Sequence, residues 1–217
     1  MNRQVIWDFW AKRYDQLWVQ KYSLGPTRRE ILLYLKRQLK ADKKYRILDV
    51  GCGTGQLLRE IKAELAEYKL ELLGIDFSKE MTQQARGKGD GISYRQMDVR
   101  DISNLQEEFD IIICTHSFPY YGDQAFAISQ FNDLLKTGGH LLLAQSSQNN
   151  LYDQVALFFV KLTTGKANYL SVKAVLSMTK KLFACEHIIK IRERFFMPSI
   201  YFFVLAKRSI IRGDCKE

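Results

Sequence analysis

Ile47-Leu48-Asp49-Val50-Gly51-Cys52-Gly53-Thr54-Gly55 is the stretch on which the fold turns. A short apolar run carries an acid, gives way to a glycine-rich turn and opens onto a helical pattern. Buried parallel strands read as continuous apolar runs, and glycines let a backbone curl tightly and approach a ligand. Many nucleotide sites begin in this way, so the glycines alone decide little. Asp49 narrows the choice. A carboxylate two residues before Gly51, at the mouth of a site, repels a pyrophosphate and suits a cationic ligand.

Further landmarks follow at the spacing of βα units. Residues 70–75 are a second apolar run, closed by Asp76, 25 residues beyond Gly51. Dinucleotide folds also place an acid about 20 residues on, so this interval does not separate the two. Asp76-Phe77-Ser78 leads into a helical segment over 79–86, with Ser78 as its N-cap. Residues 92–99 read as a strand with Asp98 at its end, and 109–115 as a buried strand. Residues 134–140 read as a helix stopped by Gly138-Gly139, and 141–144 as a fifth strand. A lone acid at a strand end most simply caps a helix. Three of them at strand carboxyl ends, where open α/β sheets bind ligands, together favour a cofactor site.

From about residue 46 to 146 this ensemble resembles the class I S-adenosylmethionine (SAM) methyltransferases, and most of all the small-molecule branch that includes the quinone-precursor methyltransferases. The resemblance implies an α/β fold: a doubly wound, seven-stranded, mostly parallel sheet with a C-terminal antiparallel hairpin, under an N-terminal helical lid. It implies SAM as cofactor, S-adenosylhomocysteine as product and no metal. Asp49 and the turn through Gly51, Cys52, Gly53 and Gly55 would then face the methionine end of SAM, with Tyr14 touching it. Asp76 would take both ribose hydroxyls, Phe77 and Met81 would pack on the adenine, and Asp98 with Val99 would receive its amino group. Thr115 would stand beside the reaction centre.

The 217 residues, 47% hydrophobic and 26% charged, suit one globular domain and exclude wholesale disorder. We divide the chain into a helical lid (1–45), a cofactor core (46–146), a helical insertion (147–182) and a C-terminal hairpin (183–217). The lid reads as an amphipathic helix over about 4–18, a loop over 22–26, and a second helix opened by the capping box Thr27-Arg28-Arg29-Glu30 and running to about Lys40. The insertion reads as two helices joined around 163–166, with Leu157-Phe158-Phe159 dense enough to line an apolar pocket. The hairpin pairs 187–196 with 201–207, and Lys190, Arg192 and Arg194 alternate onto one face.

There is no signal-peptide core and no apolar run near the ~20 residues needed to span a bilayer, which reads as cytoplasmic. Cys52, Cys114, Cys185 and Cys215 form no C-x-x-C pair, so neither zinc nor a redox dithiol is indicated. Charge is uneven. Residues 1–46 carry 12 Lys/Arg against 4 Asp/Glu, 47–150 carry 9 against 15, and 151–217 carry 12 against 5. An acidic core suits a cationic ligand, while basic flanks suit an anionic substrate, a nucleic acid or an anionic membrane, or simply a solvated surface.

Methyl transfer from a sulfonium is an in-line displacement with a neutral leaving group. A base is needed only if the acceptor must lose a proton, and His116 is the best-placed candidate. Tyr120 and Tyr121 would shape the substrate pocket, and Arg28 and Arg29 would meet an anionic substrate. The leading expectation is therefore SAM-dependent methyl transfer to a small, anionic or partly apolar metabolite. An RNA- or protein-modifying methyltransferase is the alternative, but nucleic acid is not favoured. Thr115 stands where amine-methylating enzymes of that kind carry the first residue of an Asn-Pro-Pro-Tyr-like motif. A non-catalytic SAM-binding protein is a third reading, and a dehydrogenase loses on Asp49 and the terminal hairpin.

Overall fold

The computed structural model describes residues 3–191 and 198–209. Helix α1 (Arg3–Ala11) is followed by a 3-10 turn at Tyr14–Gln16 and a π-turn at Gln20–Leu24 that runs directly into α2 (Gly25–Gln38). The core alternates β1 (Lys44–Val50), α3 (Gln56–Glu64), β2 (Lys69–Asp76), α4 (Lys79–Arg86), β3 (Ser93–Gln96), β4 (Phe109–Thr115), α5 (Gln124–Leu134) and β5 (Leu135–Ser146). The chain then forms α6 (Leu151–Thr164), α7 (Val172–Thr179), β6 (Phe183–Ile191) and β7 (Ile200–Lys207).

The seven strands form one sheet in the order β3-β2-β1-β4-β5-β7-β6. β1 to β5 are parallel, and β7 runs antiparallel between β5 and β6. Strand order reverses at β1, whose neighbours are β2 on one side and β4 on the other, and such a switch point leaves a crevice at the strand carboxyl ends. Register makes those ends level, with Val50 opposite Ile75, Asp76 opposite Gln96 and Thr115 opposite Ala144.

Successive side chains of a strand point to opposite faces, and the two cores follow that rule. Ile47, Ile113, Leu142 and Val204 pack on one face with Ile31, Leu35 and Leu58 of the helices there. Leu48, Ile112, Leu143 and Phe203 pack on the other with Ile128, Phe131 and Val175. The apolar runs lack alternation because both faces are covered.

Four local expectations are corrected. The first helix ends at Ala11 rather than near residue 18, because Asp15 is drawn to the Thr54 hydroxyl (2.5 Å) and the Gln20 side chain donates to the Tyr14 carbonyl (3.2 Å). Residues 22–26 are helical, and Thr27 is no cap: its hydroxyl donates to the Ser23 carbonyl from inside the helical run (3.0 Å). The strand before Asp98 stops at Gln96, and Asp98 instead caps the 3-10 turn Val99–Asn104 by accepting the Arg100 N–H (3.0 Å). Helix α5 ends at Leu134, four residues short of Gly138-Gly139, and the glycines fall within β5 beside a break in register between Phe109 and Ile111. A Cβ on Gly139 would lie 3.0 Å from the Asp110 carbonyl, so close backbone approach explains this glycine. Ser78 does cap α4, accepting the Met81 N–H (3.1 Å). Arg192 and Arg194 lie outside the described residues.

Asp110 locks that bulge by accepting from Lys136 Nζ (2.7 Å) and the Arg46 N–H (2.9 Å). Burial alone would raise its pKa, but these donors outweigh burial and hold it below the usual carboxylate value. A depressed folded pKa contributes stability above the unfolded value that is lost as pH falls through the folded one. Asp110→Ala should cost about 1.5–3 kcal/mol in urea denaturation at neutral pH. The gap to the natural chain should close in acid; a gap that persists there would assign the effect to packing.

Candidate active site

Gly51 and Cys52 donate their N–H groups to the Ile75 carbonyl (2.8 and 3.0 Å), which folds the glycine turn over the end of β2. Asp76 then clamps it. One carboxylate oxygen accepts the Gly53 N–H and the other the Ser78 N–H, both at 2.9 Å. Gly51 has φ +78°, and a Cβ there would come within 2.4 Å of the Ser117 Cβ. Gly55 is filled in the same way by Tyr94, whereas the nearest atom to a Cβ on Gly53 is Tyr14 Cε1 at 3.5 Å. Two of the three glycines therefore serve packing, and Gly53 serves the open side.

Asp49 lies beneath the turn rather than at its mouth. It is 1% exposed, and its Oδ1 has no hydrogen-bond partner. Burial, reinforced by Asp76, raises its pKa to about 8. Burial also raises Asp76, to about 6, against the two N–H donors and with help from Asp8. Asp8 projects from α1 and accepts from the Ser78 hydroxyl. Three carboxylates thus converge on one buried region, and an unpartnered acceptor there favours a cation.

Above this floor opens a cavity of about 1220 Å³. Gly51, Gly53, Asp76, Phe77, Met81, Asp98 and Val99 line one end, with Tyr14 over them. Thr115, His116, Tyr120 and Tyr121 line the middle. Asp49, Cys52, Gly55, Arg28 and Arg29 do not line it. The Cys52 thiol packs over Gly74. Arg28 is turned away onto Glu60, donating from Nε to both carboxylate oxygens at 2.9 Å, and from Nη1 to the Gln20 side-chain oxygen (2.9 Å). Arg29 lies on the exposed face of α2. Arg100 is the one Lys or Arg on the described wall, and Asp98 holds it at 2.9 Å.

Trp7, Trp10 and Trp18 close the lid side, and no sequence pattern marked them as wall residues. From α6 come Val155, Leu157 and Phe159, the last two belonging to the run dense enough to line an apolar pocket, while Phe158 of that run does not line the cavity. Trp7 meets Tyr120 edge to face at 5.2 Å, and the Tyr120 hydroxyl lies 3.1 Å from that of Tyr169. Asp8 had one visible signal, a single acid between Trp7 and Phe9 on an otherwise apolar helix. Among the described residues no group of His, Cys, Asp and Glu could hold a metal ion.

His116 is held in an uncommon conformation. Its φ of 60° makes it the one non-glycine residue with positive φ among those described, and its N–H donates to the Ala144 carbonyl (2.8 Å). Such strain persists where surroundings over-determine it, often at functional sites. Its Nε2 is 3.0 Å from the Thr27 hydroxyl, whose hydrogen is committed to the Ser23 carbonyl. Thr27 must then accept, so Nε2 carries the imidazole proton and Nδ1 the lone pair. Burial, with the Arg28 charge, lowers the pKa to about 4.

Residues 47–139 match the family model described as a methyltransferase domain. With the sheet order and the glycine turn, that match makes the core a methyltransferase domain of the class I, SAM-dependent type. The chain is 38% identical over 107 residues to the putative methyltransferase YqeM of Bacillus subtilis, covering 46% of this chain and 42% of that protein. It is 32% identical over 133 residues to the ubiquinone biosynthesis O-methyltransferase of Alkalilimnicola ehrlichii, covering 59% and 51%. The chain thus spans about half the length of these two relatives. Its fold superposes on magnesium protoporphyrin IX methyltransferase (ChlM) of Synechocystis PCC 6803 with bound S-adenosylhomocysteine at a TM-score of 0.72, with 16% identity, over 95% of this chain and 99% of that one.

The tautomer assignment is testable by nitrogen-resolved NMR of the histidines. His116 should stay neutral with its proton on Nε2 down to about pH 5, titrating near 4. Titration near the ordinary value of about 6.5 would overturn it.

Proposed function

We propose that this chain binds SAM and transfers its methyl group to a small, largely apolar acceptor whose nucleophilic atom is offered to His116. The observation that carries this reading is the cavity itself, with buried carboxylates at one end and a neutral imidazole and aromatic walls at the other. Its volume of about 1220 Å³ exceeds the ~300–1,000 Å³ of an ordinary single-ligand pocket and leaves room for a cofactor and an acceptor together.

The residues present fit SAM. Asp49 lies off the cavity wall, behind the glycine turn, and its unsatisfied buried acceptor would act on the ammonium through the field rather than by contact. Asp76 uses one lone pair of each oxygen on a backbone N–H and keeps acceptor capacity for ribose hydroxyls. Phe77, Met81 and Val99 give an apolar seat for adenine beside Asp98, and Tyr14 covers Gly53. When bound, SAM supplies an electrophilic methyl group on a cationic sulfur. The chain's own contribution is to fix the acceptor in line, to exclude water with Tyr14, Trp7 and Tyr120, and to hold the acceptor's proton at His116 Nδ1. Thr27 fixes that imidazole by accepting from Nε2.

Between the two acceptor characters that composition left open, the walls support the apolar one. Arg28 and Arg29, the side chains expected to receive an anion, lie off the cavity. The same placement weighs against an RNA acceptor, which would need cations along the cavity to meet its phosphates. The test is formation of S-adenosylhomocysteine when SAM is incubated with apolar and anionic metabolite pools and with RNA.

Asp76→Ala should weaken SAM at least tenfold in calorimetry, since hydrogen bonds to a charged group are worth about 1.5–3 kcal/mol. His116→Ala should lower turnover by roughly 10²–10⁴-fold and leave SAM affinity nearly unchanged. A variant with normal turnover would remove the base role.

SAM binding should also depend on pH. Asp49, raised to about 8 in the free protein, is mostly protonated at neutral pH, and a bound ammonium would lower its pKa. Binding should therefore release a proton and strengthen as pH rises towards about 8, then level off. Calorimetry in buffers of different ionisation enthalpy measures this, and no proton release at neutral pH would separate Asp49 from the ammonium.

A further inference from the structure

The lid carries apolar side chains that its own cavity does not use. Among the described residues eleven large hydrophobic side chains are exposed, and eight of them lie on α1, on Trp18 and on α6. The other three, Leu33, Phe126 and Ile188, are scattered over α2, α5 and β6. Exposed apolar residues scattered singly need no explanation, whereas a contiguous group marks an interaction surface.

The two helices are neighbours at the mouth of the cavity. A Cβ on Gly165, just past α6, would sit 3.2 Å from Ile6 of α1. Each turns one side to the cavity, through Trp7 and Trp10 on α1 and Val155 and Phe159 on α6. Each also offers solvent an apolar side. Phe9 is 73% exposed, Leu151 76% and Phe158 60%, and none of the three lines the cavity. Apolar side chains on the solvent side of a helix, besides those on its inner side, leave a second surface to cover.

Charge on these segments is sorted. Asp8, Asp15 and Asp153 are the acids of α1, the following turn and α6, and all three are drawn inward. Asp8 goes to Ser78, Asp15 to Thr54 and Asp153 to the Ser199 N–H. Lys12, Arg13, Lys21 and Lys166 lie exposed on the same segments. An apolar face rimmed by cations, with its acids turned away, complements an anionic lipid surface.

We propose that α1, Trp18 and α6 dock the mouth of the cavity on an anionic membrane. This inference rests on the proposed apolar acceptor, which would partition into the bilayer and reach the cavity between the two helices. A second copy of the chain or a protein partner could also cover apolar side chains, but neither explains the one-sided sorting of charge.

The test uses the full chain and vesicles of phosphatidylglycerol and phosphatidylcholine in equal parts, read by co-sedimentation. Binding should be at least tenfold tighter than to phosphatidylcholine alone, and should weaken with salt. The double variant Phe9→Ser, Phe158→Ser should lose at least tenfold in vesicle affinity while keeping S-adenosylhomocysteine affinity by calorimetry. Lys12→Glu with Lys21→Glu should weaken the anionic vesicles selectively. Indifference to phosphatidylglycerol, or unchanged binding by the serine variant, overturns the proposal. So does a dimer in light scattering that the serine substitutions dissolve, since the face would then belong to a second copy. Vesicle binding needs no turnover, so failure to bind S-adenosylhomocysteine alongside intact vesicle binding would count against the cofactor reading alone.

Discussion

The Asp76 carboxylate ties together pieces that are far apart in sequence, and the site depends on it. One oxygen fixes the glycine turn after β1 through Gly53, and the other fixes the start of α4 through Ser78. The Ser78 hydroxyl in turn donates to Asp8, which brings α1 across the sheet end. A buried carboxylate is costly unless it is hydrogen-bonded, and here the two N–H donors that stabilise it are also the ones that shape the crevice. The aromatic wall carried by α1 stands where it does because of this chain of contacts.

A second constraint acts from β4. Ser117 occupies the space that a side chain on Gly51 would need and donates to the Val50 carbonyl (3.0 Å), with the Tyr121 hydroxyl 2.9 Å away. The preceding residue, His116, absorbs the reversal of direction in its positive φ. The turn after β1 and the turn after β4 are therefore fitted to each other across the switch point. Charge accumulates on one of these turns and a neutral imidazole stands on the other, so the cavity is polarised along its length.

Strand identity was legible because doubly covered strands announce themselves as uninterrupted apolar runs, as at 109–115. Asp76 was legible because it closes such a run. Asp49 was legible as an acid in the motif but not in its depth, which depends on how tightly the turn folds onto Ile75. The aromatic lid was legible only as an amphipathic helix. Trp7 and Trp10 face the cavity while Phe9 faces solvent, so apolar periodicity could not say which side was core. Arg28 was misread because Glu60, its partner, is 32 residues away, and no local pattern reports that pairing. The role of Thr27 was hidden likewise, since His116 lies 89 residues on.

The position of β7 has a consequence for how the molecule is made. It pairs with β5 along His140 to Ser146 and with β6 along its whole length, and it supplies Phe202 and Phe203 to opposite faces of the sheet. As the chain leaves the ribosome, β5 and β6 are both complete before the strand that separates them exists. Each then holds an open edge towards the gap, and an open edge invites pairing with the wrong strand. The half-made protein is thus most exposed to mispairing just before Ile200–Lys207 emerges, and the sheet closes from the middle outward rather than from one end.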